Sequence, residues 1–154
     1  MDMKKVLKRQ SIIPRLDGIM RDVERLQKLG ERSQDFFMKN EDNFSLAKFH
    51  LRQALEGIFH ISEHILSRLN GARASEYKEI ARKLGEYGVV DAEFANSALV
   101  KMAGYRNRLT HFYSDITPEE IYNIIKDNLD DFDIFVKAIS DLMKNPAKLN
   151  LDIE

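Results

Sequence analysis

The sequence predicts an all-α fold, an antiparallel up-and-down bundle of about five helices with short connections. Three observations predict it. Apolar residues recur at spacings of three and four along most of the chain. No segment sustains the period-two alternation of a half-buried strand. Glycine and proline are few and read as marks of helix ends. With 154 residues and 44% hydrophobic content, the chain suits a single domain spanning 1–154. Its packed core is expected over about 12–143, with the tail 145–154 loosely held.

In the first helix, Ile12, Leu16, Ile19, Val23 and Leu26 form a narrow seam. Pro14 belongs in a first turn, so this helix is expected to start near Ser11. Gly30 and Ser33 interrupt the pattern, and Asp35-Phe36-Phe37-Met38 reads as a short turn plugging the bundle end. The second helix is expected from about Asn43 to Leu69, through Leu51, Leu55, Ile58 and Ile65, with Asn70-Gly71 as its stop. A shorter third helix follows from Ser75 to Tyr87-Gly88. Asp91 caps the fourth, which carries Phe94, Ala98, Leu99 and Met102. The fifth is expected to run unbroken from Pro118 to about Lys144, with Thr117 as N-cap and Glu120 completing a capping box. Pro146 ends it.

Composition narrows the function. A formal charge of −1 supplies no global basic field, so contact with nucleic acid needs a local patch. There are no cysteines, hence no disulfide, thiolate metal site or cysteine nucleophile. No apolar run approaches the roughly 20 residues that cross a bilayer, and Met1-Asp2-Met3-Lys4-Lys5 lacks a signal-peptide core. The reading is a cytoplasmic protein with no membrane partner. A glycine-rich phosphate loop, paired aspartates for magnesium and a serine elbow are all missing.

The densest chemistry lies in Tyr105-Arg106-Asn107-Arg108-Leu109-Thr110-His111-Phe112-Tyr113. Guanidinium forks bind phosphate, and an imidazole moves protons near neutral pH. At about 100° per residue, Asn107 and His111 share a face, whereas Arg106 and His111 diverge. Two copies related by a two-fold axis at the fourth helix would supply both groups from facing chains, so the spacing favours a homodimer with a composite site. The competing reading makes His111 a helix-end residue meeting the macrodipole, with the arginines on a solvated face. Glu56, His60 and His64, with Glu63 adjacent, repeat at metal-ligand spacing, but no further ligand follows at motif distance. Surface or capped histidines are the default there. Arg68, Arg73, Arg82 and Lys83 could guide RNA phosphates, though exposed helical faces commonly look the same.

The order of elements and the pattern Arg-x4-His-x-Tyr, here Arg106, His111 and Tyr113, resemble the HEPN superfamily and within it the HepT-like toxins. Asn107 directly after the arginine fits the same pattern. Glu63, within Ile61-Ser62-Glu63-His64, is similar to an acid of the family's second helix. The resemblance covers about 12–143 and implies a homodimeric endoribonuclease that uses no cofactor and no metal. It also implies a toxin whose partner, a minimal nucleotidyltransferase antitoxin, adenylylates Tyr113. Arg106, His111 and Asn107 would then be catalytic, with Glu63 and Arg108 supporting. An alternative of another class is a non-catalytic helical subunit of a nucleotidyltransferase that binds a nucleotide or partner.

Overall fold

The structure, a computed structural model, describes residues 5–111 and 115–154; Tyr113 lies outside them. It is mostly helical, as the spacing predicts. Strand β1 (Lys5–Leu7) leads into α1 (Arg9–Gly30), followed by the short α2 (Gln34–Lys39) and the long α3 (Glu41–Leu66). Next come α4 (Tyr77–Glu86), α5 (Ala92–Phe94), a π-helical turn (Ala95–Leu99) and α6 (Val100–His111). Helices α7 (Pro118–Asp127) and α8 (Asp130–Lys144), a 3-10 turn (Pro146–Leu149) and β2 (Leu151–Ile153) complete the chain. Among the described residues no helix is long and apolar enough to cross a membrane.

The tail departs from expectation. Instead of hanging loosely, β2 pairs in parallel with β1, Lys5 opposite Leu151 and Leu7 opposite Ile153. Leu7 and Leu151 are both buried. Asn150, in the left-handed region at φ 56°, turns the chain into the strand. This pairing also moves the start of α1 to Arg9. Its N-terminal N–H groups find partners far along the chain: Arg9 donates to Glu154 O at 3.1 Å and Lys8 to His64 Nε2 at 3.1 Å. Lys8 makes no side-chain cap, so tertiary contacts start this helix. Pro14 consequently lies inside it.

Local chemistry explains the other boundaries. Asn40 accepts from Asp42 N–H at 2.9 Å and starts α3 earlier than expected. The residues read as a plugging turn form α2, capped by Ser33, with Phe37 buried against Tyr122. Gly71 and Gly88 hold φ of 75° and 76°, closing α3's trailing turn and α4. The expected fifth helix is two. Asn128, at φ −125°, leaves the helical region, and its side chain bonds the carboxyl of Asp131. Asp130, Asp131 and Asp133 then favour a new helix N-terminus.

Not every glycine marks an end. Gly30 packs where α1 meets α7, and a Cβ there would lie 2.5 Å from Ile125 Cγ2. Within α3, Gly57 lets α1 approach closely: its Cβ would meet Ile19 Cγ1 at 2.8 Å. Helices α1 and α3 share the broadest contact, and α6 lies against α3 and α4. That placement brings two neighbouring helices to Arg106.

Candidate functional site

Helix α6 is the axis of the site. Asp91 caps the rod that leads into it, accepting from Phe94 N–H at 3.1 Å. The backbone stays helical through Phe94 and Val100, so α5, the π turn and α6 form one rod. The π turn sits just before the motif, as such turns often do near functional sites.

Arg106 is held from two sides. Its Nε donates to Glu56 Oε1 of α3 at 2.9 Å, and its guanidinium lies over the Tyr77 ring of α4, 4.0 Å from the centroid. Tyr77 in turn meets Phe59 edge-on. The Arg106 and Glu56 side chains are 13% and 23% exposed. Glu56 binds only the Nε edge, so the terminal nitrogens make no hydrogen bond among the described residues. An oriented guanidinium with free terminal donors suits bidentate contact with a phosphate. Burial holds the Tyr77 phenol above its ordinary range; Glu63 and Glu56 add to the rise while Arg106 opposes it.

The remaining residues take distinct places. Asn107 is half-buried on α6, and its amide makes no hydrogen bond among the described residues. His111 is the exposed last residue of α6, about 140° round the helix from Arg106. Glu63 is exposed on α3, two turns beyond Glu56. Arg108 faces the other way from Arg106: it forms a bidentate pair with Glu120 of α7, at 2.6 and 3.0 Å, and reaches Asp115 O at 3.3 Å. The hydrogen bond from Arg108 pulls Glu120 below its usual carboxylate range despite its burial. Tyr105 OH also donates to Glu120, at 3.2 Å. Thr117 caps α7 as expected, accepting from Glu120 N–H at 3.1 Å. Arg108 and Glu120 therefore brace α6 against α7.

The other two constellations serve different ends. Glu56 is committed to Arg106, with His60 Nε2 4.0 Å from its second oxygen. His64 receives the Lys8 N–H. Arg68 donates to Val6 O at 3.1 Å and supports the terminal strand pair. Sequence reasoning did not find Glu56 and Tyr77 as the partners of Arg106. The available signal was weak: Glu56 and Glu63, seven apart, share one stripe of α3.

The domain is mostly helical, with an oriented arginine and a helix-end histidine on different faces of α6, and direct comparison identifies its family. Residues 19–139 match the family model described as ribonuclease HepT-like, so the chain belongs to the HepT-like family of the HEPN superfamily. It is 28% identical over 126 residues to the tRNA nuclease HepT of Aphanizomenon flos-aquae (strain 2012/KM1/D3), covering 82% of this chain and 85% of that one. Its fold is similar to the tri-AMPylated Shewanella oneidensis HEPN toxin in complex with MNT antitoxin. That match has a TM-score of 0.73 and 22% identity over 84% of this chain and 96% of that one. A toxin–antitoxin complex with AMP-PNP matches at TM-score 0.71 and 22% identity, over 83% and 96% of the two chains.

Proposed function

We propose that this protein is a metal-independent endoribonuclease toxin of a HEPN/minimal-nucleotidyltransferase pair. The observation that carries the reading is the guanidinium of Arg106, fixed by Glu56 and Tyr77 with its terminal donors unused among the described residues. RNA brings its own nucleophile. The 2′-oxygen loses its proton and attacks the adjacent phosphorus, and the bond from phosphorus to the 5′-oxygen breaks. The products are a 2′,3′-cyclic phosphate and a 5′-hydroxyl. Arg106 neutralises charge on the non-bridging oxygens as the phosphorane forms. His111, an imidazole at an exposed helix end, moves the protons. Asn107, whose amide is unengaged among the described residues, positions the phosphate or the histidine. Because Arg106 and His111 diverge around α6, the complete site takes one residue from each of two chains. The nuclease and toxin complexes to which the chain is similar support this reading.

Purified protein is expected to cut defined RNA in EDTA, and Arg106→Ala or His111→Ala, each folded by circular dichroism, is expected to abolish cutting. Mixing the two variants tests the composite site. In a two-fold dimer, half of the randomly exchanged dimers are mixed, and each mixed dimer regains one of two sites, so about a quarter of parent activity should return. No recovery after verified subunit exchange refutes the composite site. Folded variants that cut like the parent refute the nuclease reading and leave the binding subunit. Tyr113, two residues beyond His111, is the proposed site of adenylylation by the antitoxin. A phosphodiester there adds negative charge beside the substrate phosphate and closes the site. A Tyr113→Phe chain should keep activity and escape the partner's inhibition. Its silencing by an active antitoxin without modification elsewhere would rule this out.

A further inference from the structure

The Arg106–His111 chemistry leaves a cavity of about 380 Å³ unused, between α3, α6 and the α7–α8 junction. Leu51 and Leu55 of α3, Met102 of α6 and Phe132 of α8 make it apolar. Two hydrogen-bonding groups, Asp131 and Asn128, line it at the helix break, and Lys101 stands beside them. The volume lies within the range of about 300–1,000 Å³ typical of small-molecule pockets. An apolar pocket with a few convergent polar groups suits a flat heteroaromatic ring. Burial holds the Asp131 carboxyl above its ordinary range, with Asn128's side-chain hydrogen bond and the Lys101 charge opposing and Asp130 adding to the rise. Lining the cavity, this carboxyl can accept from a ligand that donates to it.

Its location suggests the ligand. Lys101, Met102, Tyr105 and Arg108 all line the cavity from α6, the helix that carries Arg106. They span eight residues, about 10 Å of helix; Arg108 faces away from Arg106, but Met102 stands one turn before Arg106 on nearly the same stripe. Single-stranded RNA is read mainly through unstacked bases whose edges hydrogen-bond in pockets. We propose that the cavity receives one base of the RNA substrate, near the scissile phosphate, and that Asp131 selects guanine. A carboxylate accepts from guanine N1–H and N2–H together, whereas cytosine and adenine each offer one amino group. Uracil presents a single N–H flanked by carbonyl oxygens that repel the carboxylate. Choice of guanine as substrate base rests on the nuclease reading; the pocket itself does not.

Two measurements test this separately from the nuclease reading. In the parent protein carrying ¹³C-methyl methionine, guanosine monophosphate, which has no internucleotide bond to cut, should shift the Met102 methyl resonance and uridine monophosphate should not. Asp131→Asn should abolish that shift. Among oligonucleotides differing at one base beside the cut, the parent should favour guanine over uracil about tenfold or more, and Asp131→Asn should bring the ratio within about twofold. An unmoved Met102 methyl with intact guanine preference, or a preference unchanged in folded Asp131→Asn, overturns the assignment. So does a Met102 shift that follows protein concentration rather than nucleotide, which would place a second copy in the cavity. Lost cleavage in Arg106→Ala and His111→Ala beside an unmoved Met102 leaves the nuclease reading standing alone. A guanosine-specific shift in a protein that cuts no RNA supports the pocket and ends the nuclease reading.

Discussion

Glu56 does two opposed things to Arg106, and substitution separates them. It orients the guanidinium through a 2.9 Å bond, and its negative charge offsets the positive charge offered to substrate. Glu56→Ala removes both effects. A hydrogen bond between charged groups contributes about 1.5–3 kcal/mol, but both side chains keep some exposure, so about 1–2 kcal/mol of stability is expected to be lost. For a domain of this size that lowers the melting temperature by roughly 2–8 °C. The loss of orientation should lower kcat about 10- to 100-fold, since displacement of about 1 Å can cost that much. Glu56→Gln keeps an acceptor at the same position and removes only the charge. A phosphate on the far edge of the guanidinium would sit about 6 Å from the carboxylate, a repulsion between about 0.7 and 2.8 kcal/mol depending on screening. Near the exposed end of that range, Glu56→Gln should lower KM about threefold with kcat nearly unchanged. Steady-state cleavage of a fluorogenic RNA at fixed ionic strength reads both constants. A folded Glu56→Ala with the parent's kcat would refute the orienting role, and a Glu56→Gln with raised KM would refute the charge argument.

Three further substitutions probe the frame around the site. Thr110 Oγ1 is buried without a hydrogen-bond partner among the described residues, so Thr110→Val should raise stability by about 1 kcal/mol. A lower melting temperature would show that the hydroxyl has a partner. His64 accepts the Lys8 N–H as a neutral imidazole, and burial, with Arg68, Arg15 and Lys8, holds its pKa below the usual 6.5. The unfolded chain therefore takes up the proton first as pH falls. This stabilisation is full above pH 6.5 and is lost on acidification through the folded-state value. The parent's melting temperature should drop more between pH 7 and 5 than that of His64→Gln, and parallel profiles would contradict the assignment. At Gly85 a Cβ would stand 2.6 Å from Ala95 Cβ and 3.1 Å from the Ala92 backbone. Gly85→Ala should cost about 1–3 kcal/mol in urea unfolding. Gly18→Ala, whose nearest atom is 3.9 Å away, should be neutral or stabilising; equal effects would undo the packing argument.

What the sequence could disclose depends on how far each cause reaches along the chain. Stripes such as Ile12-Leu16-Ile19-Val23 are local, and their residues are buried as the spacing predicts. The break at Asn128 is also local, yet it hides because Ile125, Leu129 and Phe132 keep spacings of four and three across it. A periodic pattern reports phase, and here phase survives the interruption. The start of α1 depends on Glu154 at the opposite end of the chain, so no window around Arg9 could have placed it. The site divides in the same way. The angular divergence of Arg106 and His111 follows from helix geometry alone. The choice of Glu56 over Glu63 as the partner of Arg106 does not, because both acids occupy one stripe of α3. Which of them meets the arginine depends on the axial offset between α3 and α6. Packing against α4 settles that offset, and Tyr77 completes the cradle from there.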